Sequence, residues 1–374
     1  MQRANKKVLH LINGEFYSGA ERVQDLLAIY LGENGFDVTL GCIKPAKFIE
    51  RCKCDIHKIV KFPMKSRFDL VQAFKVAKYL KESGFDIVHT HTPRTALIGG
   101  IAARIARLPL VHHLHSPTSR DTEQGIRNRV NAFIENRTIH NANHIIAVSN
   151  SLQDYLIGYG VDRSRISVVW NGVETNKNIE KHAPKDRIIV GTVALFRPRK
   201  GLEVLIDAMA QLVSAGQNIV LRAVGEFETR DYKEEVLSLV QHHGIEEHIE
   251  WVGFTDDIAS EFSCMDLFVL PSLYGEGLPM VVLEAMANKV PVISTRVEGV
   301  PEALPDNDYG MLVEPGQSTQ LAECIATLAK DEEKRELLAD NSYQRQKDYF
   351  SAESMAHGVA MVYEKILSDK DNSS

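Results

Sequence analysis

The sequence predicts an α/β protein with two Rossmann-like domains, each of them a doubly wound parallel sheet. Strand-like and helix-like segments alternate along the chain, stop at a polar stretch, 174–186, and restart at 187. Strands that alternate with helices in this way form parallel sheets with helices on both faces. The length of 374 residues also fits two domains of ordinary size.

The first series fills a predicted N-terminal domain, 1–174. It opens with a strand at 6–12 and a helix that Asn34-Gly35 ends. Apolar residues recur along that helix with its 3.6-residue period: Val23, Leu26, Leu27, Tyr30 and Leu31. Further strands are predicted at 37–43, 86–91, 108–115, 144–149 and 166–172, with helices between them.

The second series is predicted to fill 187–348, after a linker at 175–186. Its strands are expected at 187–195, 218–225, 249–254, 266–272, 290–295 and 311–315. Its helices are expected at 201–216, at 231–243, near 256–263 and from Pro279 onwards. The last 55 residues look mainly helical, and the segment 349–374 is expected to pack back on the N-terminal domain. In such sheets, ligands bind at the carboxyl ends of the strands.

Composition excludes several classes of protein. Hydrophobic residues make up 44% and charged residues 25%, which is typical of a folded protein and not of a disordered one. No apolar stretch is long enough for a membrane span or a signal peptide, so the predicted location is cytoplasmic. None of the five cysteines forms a C-x-x-C pair, and the sequence therefore spells out neither a zinc ribbon nor a redox motif.

Charge is divided unequally between the two halves. Residues 1–175 hold 24 Lys and Arg against 16 Asp and Glu, whereas the whole chain has a net charge of −7. A basic first half suggests an anionic partner: a membrane surface, a phosphorylated substrate or nucleic acid. Basic residues that are scattered over the surface, without forming a patch, would explain these counts equally well. These basic residues could contact anionic lipid headgroups, or they could simply face solvent. They are Lys58, Lys61, Lys65 and Arg67, then Arg120, Arg127 and Arg129.

The strongest chemical signal follows the predicted strand 266–272. The run from Tyr274 to Glu284 places Glu276 in a loop and Glu284 in the second turn of a helix that starts at Pro279. Free N–H groups at a helix start suit a diphosphate, and carboxylates accept hydrogen bonds from sugar hydroxyls. Gly277 allows close approach of the backbone. The predicted donor-binding residues here are Glu276, Gly277, Leu278, Pro279, Met280 and Glu284.

Two further candidate turns each follow the first predicted strand of a domain. One carries cationic side chains and the other a glycine. In RPRKG, Arg197, Arg199 and Lys200 can neutralise a leaving diphosphate. Gly19, which opens the first helix, permits a phosphate or sugar to approach the backbone. The sequence Asp306-Asn307-Asp308 spells a D-x-D motif of the kind that can bind a metal ion, but it follows Pro305 in a turn-like stretch, and we interpret it as a solvated turn.

Histidines end two predicted strands. The spacings H-x-H and H-x-x-H bring imidazoles together and could suggest zinc. No Asp, Glu or Cys completes a recognisable ligand set, so a metal site is not predicted, and a structural role is the default for these side chains, with the exception of His115. They are His89, His91, His112, His113 and His115.

These motifs, in this order and spacing, resemble glycosyltransferase family 4 over nearly the whole chain. The matching segments are SGAERV (18–23), DIVHTHTPR (86–94), HIIAVSNS (144–151), WNGV (170–173), RPRKG (197–201), VGE (224–226), E-G-L-P-x-x-x-x-E (276–284) and GVPEAL (299–304). The resemblance implies retaining enzymes of the GT-B fold, with two Rossmann-like domains that face a central cleft. It also implies that many members act in bacterial cell-surface polysaccharide or lipopolysaccharide synthesis, often on lipid-linked acceptors.

The resemblance assigns roles to individual residues. Glu276 is expected to contact the donor sugar, Glu284 the ribose hydroxyls, and Lys200 the diphosphate; His115 is expected near the reaction centre. The chain departs from the family at Leu195, where an Arg is usual, and Arg197 or Arg199 is left as the substitute. The predicted catalytic residues are therefore His115, Glu276 and Lys200, and no metal or other cofactor is expected.

The function predicted from the sequence is transfer of a sugar from a nucleotide-sugar donor to a glycan or polyprenyl-linked acceptor. Peripheral attachment at the inner face of the plasma membrane is part of this expectation, and nucleic acid is not an expected partner. The alternatives left open are a sugar-nucleotide epimerase or hydrolase on the same fold and a non-catalytic sugar-nucleotide-binding module. A nicotinamide dehydrogenase is disfavoured because the chain lacks G-x-G-x-x-G.

Overall fold

The structure, a computed structural model, describes residues 5–66, 69–116, 139–179 and 187–372. The chain divides into two compact units. Unit 1 comprises Met1–Gly172 together with Ser351–Ser374, and unit 2 comprises Val173–Phe350. The first segment of unit 1 therefore ends two residues before the predicted domain end at 174. Of the predicted linker, 175–179 holds neither helix nor strand, and 180–186 lies outside the described residues.

Unit 1 is built on a sheet of seven parallel strands in the order β3-β2-β1-β4-β5-β6-β7. The strands are β1 (Lys6–Ile12), β2 (Phe36–Cys42), β3 (Ile59–Lys61), β4 (Ile87–Thr90), β5 (Leu110–Leu114), β6 (His144–Ala147) and β7 (Ile166–Val168). The helices described in this unit are α1 (Gly19–Tyr30), α2 (Lys47–Arg51), α3 (Val71–Ser83), α4 (Pro93–Ala106), α5 (Asn150–Gly158) and, at the chain's end, a helix at Ala352–Asn372. Strand order reverses between β1 and β4, which is the crevice where doubly wound sheets bind ligands.

Unit 2 repeats this plan with six parallel strands in the order β10-β9-β8-β11-β12-β13. The strands are β8 (Ile188–Val193), β9 (Ile219–Val224), β10 (Ile249–Gly253), β11 (Leu267–Leu270), β12 (Val292–Thr295) and β13 (Met311–Val313). The helices are α6 (Leu202–Ser214), α7 (Arg230–His243), α8 (Ile258–Ser263), α9 (Met280–Ala287), α10 (Val300–Ala303), α11 (Ser318–Lys330) and α12 (Glu332–Tyr349). Here the strand order reverses between β8 and β11.

Buried apolar side chains hold each sheet to its helices. In unit 2, α6 places Leu202, Leu205, Ile206 and Met209 in the core, at the spacing of one helix face. They pack with Leu221 of β9 and with residues of β11 and β12. The continuous apolar character of these strands follows from burial on both faces, as in other parallel sheets.

The C-terminal helix, α13 (Ala352–Asn372), belongs to unit 1, where it packs against α1. Gly358 gives it a close approach to the residue that follows β7, because a Cβ at that position would lie 2.9 Å from Cγ1 of Val169. Tyr363 is fully buried, and its ring lies edge-on to Phe36 with the centroids 5.1 Å apart. This helix thus carries a side chain from the end of the chain to the centre of the first sheet.

The fold class predicted from the sequence is confirmed, and the differences lie in short elements. Neither β3 nor α2 was predicted, because three or five residues are too few to show a period. Helix α9 begins at Met280, so Pro279 is the residue that precedes the helix and not its first residue. No helix among the described residues is long and apolar enough to cross a membrane. All five cysteines are free thiols.

Candidate functional site

In unit 2, two predicted site residues meet at the point where the strand order reverses. Lys200 follows β8 and Glu276 follows β11, and these two strands are neighbours in the sheet. The Lys200 ammonium group donates a hydrogen bond to Oε1 of Glu276, and both side chains are nearly fully buried. The sequence placed both residues at strand ends, and the structure brings them into direct contact.

The turn that carries Lys200 depends on the glycine after it. Residues Pro198–Lys200 form a single 3₁₀ turn, and Gly201 ends it with φ of 65°. A Cβ at Gly201 would lie 2.2 Å from the carbonyl oxygen of Pro271, so only glycine fits here. The backbone N–H of Leu273 donates to the carbonyl of Arg199 at 2.8 Å. These contacts fix the loop after β8 against the loop after β11.

Glu276 is held by more than its ion pair. Ser272, fully buried, donates its hydroxyl to the same oxygen, Oε1, at 2.6 Å. Burial by itself raises the pKa of Glu276, but the charges of Lys200 and Arg199 and the two hydrogen bonds outweigh it, and the net pKa is lowered. Burial lowers the pKa of Lys200, against the opposing attraction of Glu276. A buried carboxylate is therefore kept ionised by a buried cation.

Arg199 and Arg197 differ in what they contact. Nη1 of Arg199 donates to the carbonyl of Gly275 at 2.8 Å and lies 3.9 Å from Oε1 of Glu276. Gly275 has φ of 81°, a conformation that favours glycine, and a Cβ there would meet Nη1 of Arg199 at 3.0 Å. Nη1 of Arg197 lies instead 3.6 Å from Oε1 of Glu228. Leu195, where the family has Arg, is 45% exposed.

Glu298 is a residue of this site that the sequence reasoning missed. Its carboxylate accepts a hydrogen bond from the backbone N–H of Glu276 at 3.1 Å. In turn the N–H of Gly299 donates to the carbonyl of Glu276 at 3.3 Å. Glu298 has φ of 33°, an unfavourable conformation for a residue with a side chain. The strained loop between β12 and α10 thus holds the backbone of Glu276 from both sides.

The remaining predicted donor residues lie along the start of α9. Gly277, Leu278, Pro279 and Met280 are all buried. Glu284, in the second turn, is only 6% exposed. The interpretation that it lies on the solvent-facing side of the helix is therefore excluded. In the described structure Arg199, Lys200, Glu276 and Gly277 are therefore brought together, and Glu284 lies further along the same buried helix.

Two predicted site residues belong to unit 1. Gly19 is the first residue of α1 and is exposed. His115 immediately follows β5 and is half-buried, and its Nε2 lies 3.1 Å from Nδ1 of His91. Burial, with a smaller contribution from His112, lowers the pKa of His115 to about 3, so its ring is neutral near pH 7.

The D-x-D motif and, among the described residues, the basic residues singled out from the sequence do not belong to this site. Asp306 and Asp308 lie in an exposed turn, where Asp306 accepts a hydrogen bond from the N–H of Asp308 at 2.9 Å. Of the basic run near β3, Lys58 is paired with Asp37 at 3.1 Å, and Lys61 and Lys65 are exposed. The other basic residues singled out from the sequence lie outside the described residues: Arg67, Arg120, Arg127 and Arg129.

Family comparisons cover both units. Residues 17–177 match the family model described as Glycosyltransferase Family 4, and residues 174–345 match the model described as Glycosyl transferases group 1. The chain is 31% identical to an uncharacterized glycosyltransferase of Methanocaldococcus jannaschii, over 79% of this chain and 80% of that protein. It is 29% identical to the capsular polysaccharide biosynthesis glycosyltransferase CapM of Staphylococcus aureus, over 98% of this chain and 99% of CapM.

A solved structure agrees with the fold. The Anabaena protein HepE, crystallised in complex with UDP-glucose, is 26% identical and superposes with a TM-score of 0.82. The similarity covers 96% of this chain and 99% of that one.

Proposed function

The chain belongs to glycosyltransferase family 4, and from this premise we propose that it transfers a sugar from a nucleoside diphosphate sugar to a glycan or lipid-linked acceptor with retention of anomeric configuration. The family that the motifs indicated is thereby confirmed, as is the class of enzyme, a glycosyltransferase. The observation that carries the finer proposal is the contact of Lys200 with Glu276 where the strand order of unit 2 reverses.

The chemistry of that contact fits a charged donor. A diphosphate leaving group gains negative charge as the glycosidic bond breaks, and a preorganised cation stabilises that charge. Lys200 is such a cation, and Arg199 lies beside it. Glu276, kept ionised, is suited to accept hydrogen bonds from donor sugar hydroxyls, and Glu284 to accept them from the ribose.

The loop before α9 is assigned to the donor as well. Its backbone from Gly277 to Met280 lies at the start of a helix, and helix N-termini suit a diphosphate. The acceptor is assigned to unit 1, near Gly19 and His115. On the likeness to HepE, UDP-sugars are the donors to test first, and on the likeness to CapM, growing surface polysaccharides are the acceptors.

A membrane surface is proposed as the place of reaction. Along α3, Val71, Phe74, Lys75 and Lys78 are all exposed and recur at the spacing of one helix face. Val71 is 61% and Phe74 63% exposed, and Leu70, just before the helix, is 42% exposed. Apolar side chains flanked by lysines are suited to the interface of an anionic bilayer. A polyprenyl-linked acceptor would be met there.

The proposal is tested by transfer of labelled sugar from UDP-, GDP- and ADP-linked donors to a polyprenyl diphosphate-linked sugar, without added Mg²⁺ or Mn²⁺. We expect one nucleotide class to support transfer, and the anomeric coupling constant of the product to equal that of the donor. Consumption of donor at the same rate without acceptor would identify a hydrolase or epimerase instead. Binding without consumption would identify a non-catalytic module.

A further inference from the structure

Five histidines of unit 1 lie side by side at the point where its strand order reverses. His10 lies in β1, His89 in β4 and His113 in β5, while His91 and His115 directly follow β4 and β5. The rings of His113 and His115 are stacked with centroids 4.4 Å apart, and those of His91 and His115 with centroids 5.4 Å apart. Helix α4 begins beside them, capped by Thr92. The cluster therefore sits on rigid elements.

The ring nitrogens form two overlapping triads that share His91. One triad is His10, His89 and His91, and the other is His91, His113 and His115; within each, the ligand atoms lie within 4.8 Å of one another. The distance from Nδ1 of His91 to Nε2 of His115 is 3.1 Å. Two nitrogen ligands of a tetrahedral zinc ion lie about 3.3 Å apart, given bonds of roughly 2.0–2.1 Å. The spacing of these two nitrogens is therefore close to that of two ligands of one ion.

His113 supplies an independent observation. It is fully buried, and neither of its ring nitrogens has a hydrogen-bond partner among the described residues. A neutral imidazole carries one N–H donor and one acceptor nitrogen. Leaving such a group buried and unsatisfied costs about 1–3 kcal/mol. A bound ion that takes the lone pair of His113 gives this otherwise costly side chain a partner.

In the first triad both ring nitrogens of His10 and one of His89 have hydrogen-bond partners, whereas Nε2 of His89 has none among the described residues. Nε2 of His10 and Nδ1 of His89 both bond the hydroxyl of Tyr363, at 2.8 Å and 2.5 Å. Nδ1 of His10 lies 3.1 Å from Nε2 of His91. This last contact suits a ligand histidine, whose second ring nitrogen usually donates a hydrogen bond that fixes the ring's orientation. His10 and Tyr363 therefore act as a supporting layer behind His91.

We propose that His91, His113 and His115 bind one zinc-type transition-metal ion, with Nδ1 of His91 and Nε2 of His115 among its ligands. Burial keeps all three rings neutral near pH 7, so their lone pairs are available to an ion. Imidazole nitrogen suits zinc, cobalt, nickel and copper better than magnesium or calcium. Neither triad includes a carboxylate or thiolate, so the ion keeps its charge and favours an anion or hydroxide as fourth ligand.

Sequence reasoning set this site aside because it looked for an acidic or cysteine ligand to complete it. His10, which supports His91, was missed because nothing local in the sequence places β1 beside β4. The inference does not rest on the transferase activity, since its readouts concern binding alone. With an ion bound, His115 would reach a substrate through the ion's fourth position.

The test uses the full chain without a polyhistidine tag. The protein is stripped with chelator, incubated with Co²⁺, passed through a desalting column and measured by elemental analysis and visible absorption. We expect roughly one Co²⁺ per chain, the intense visible bands of a tetrahedral site, and their loss when Zn²⁺ is added. His113→Gln and His91→Gln should each weaken Co²⁺ binding by more than the roughly tenfold that loss of a supporting partner costs.

His112 provides the matched control. It is buried next to His113 in the same strand, but its Nδ1 lies 3.0 Å from the hydroxyl of Thr90 and it belongs to neither triad. His112→Gln should therefore keep the ion, and the melting temperature of each variant shows that it is folded. The proposal is overturned if the wild type retains no ion, if His113→Gln binds as the wild type does, or if loss of His89 and not of His113 abolishes binding.

Discussion

Lys200 and Ser272 both donate to a single oxygen of Glu276, its Oε1, in the buried centre of unit 2. The lysine comes from the loop after β8 and the serine from the loop after β11, so one carboxylate joins two loops. Because the ion pair is almost fully screened from water, each charge depends on the other. Removing one of them should therefore be more harmful than removing both.

Lys200→Ala should destabilise unit 2. It leaves Glu276 charged and buried, and breaking a buried pair in this way typically costs about 3–5 kcal/mol. Glu276→Ala should be similarly destabilising for the same reason. The double variant should lose clearly less stability than the sum of the two single variants. Chemical denaturation of all four proteins gives the coupling energy, and strict additivity would contradict a direct ion pair.

Glu276→Gln should reduce transfer far more than donor binding. The amide keeps the size of the side chain but removes the charge that Lys200 compensates and the acceptor that we propose for the sugar. We expect kcat/KM to fall roughly 100-fold, the usual effect of removing one preorganised hydrogen-bonding group. The Kd for the nucleoside diphosphate alone should change less than kcat/KM does. Glu314→Gln, at an exposed glutamate 3.5 Å from Arg296, is the control and should retain full activity.

Glu298 should act as a positioning residue. Its carboxylate accepts the backbone N–H of Glu276, so Glu298→Ala removes the hydrogen bond that holds that loop. A displacement of about 1 Å near a reacting centre can cost up to about 100-fold in rate, and we expect a fall in kcat of at least tenfold. Glu298→Gln, which keeps an acceptor oxygen, should restore most of the rate. Equal activity of the Ala and Gln variants would show that this hydrogen bond does not position Glu276.

The contrast between Glu276 and Glu298 shows how far the sequence could predict this site. Lys200 and Glu276 were found because each follows a strand within a local motif, and parallel strands bring their carboxyl ends to one edge. Ser272 and Glu298 were missed because their contacts depend on loop geometry: Ser272 folds back on a residue four positions later, and Glu298 reaches across 22 positions with a positive φ. Composition and periodicity carry no signal for either contact.

The histidines of unit 1 also show that contacts between distant segments could not be predicted from the sequence. Their positions at strand ends were read from the sequence, but the pairing of β1 with β4, which sets His10 opposite His89, was not. The short strand β3 was missed as well, because Ile59 and Val60 stand among lysines in a segment too short to show alternation. Long periodic elements were predicted well because their pattern is a direct consequence of burial.

Protonation of His144 should destabilise unit 1 in acid. This residue is buried at the start of β6, with its Nε2 2.8 Å from the hydroxyl of Ser167. Burial, then the charges of Lys365 and Arg165 against that of Asp369, lowers its pKa to about 4, whereas an unfolded histidine has a pKa of about 6.5. Below pH 6.5 the unfolded state therefore binds more protons. The stabilisation is fully present above that pH and is lost as the pH falls towards 4.

The size of this effect is measured with His144→Gln, whose amide can still reach Ser167. The other buried histidines titrate in both proteins, so the difference between wild type and variant isolates His144. From pH 7 to pH 4 the wild type should lose about 1–3 kcal/mol more free energy of unfolding than the variant, with the lower end allowing for solvent screening. Parallel stability curves over this range would contradict a neutral His144 in the folded protein.

Phe74→Ser should weaken binding to anionic vesicles without weakening binding of the nucleotide. Phe74 is 63% exposed, between Val71 and Lys78 on one face of α3, and inserting such a ring into a bilayer interface is worth about 1.5–3 kcal/mol when fully buried. We expect the partition coefficient onto phosphatidylglycerol-containing vesicles to fall roughly tenfold. Lys75→Ser and Lys78→Ser should each lower it roughly fivefold, and only at low salt, because each charge contributes about 1 kcal/mol near an anionic surface.

Met361 offers the matched control for this surface. It is 58% exposed on α13 of the same unit, so Met361→Ser removes a comparable exposed apolar side chain from a different helix. If α3 is the membrane-contacting face, Met361→Ser should partition as the wild type does, and wild-type protein should ignore vesicles of phosphatidylcholine alone. Equal losses in the Phe74 and Met361 variants would point to unspecific adsorption. If both variants bind vesicles as well as the wild type does, α3 does not contact the membrane and faces water while the acceptor is extended.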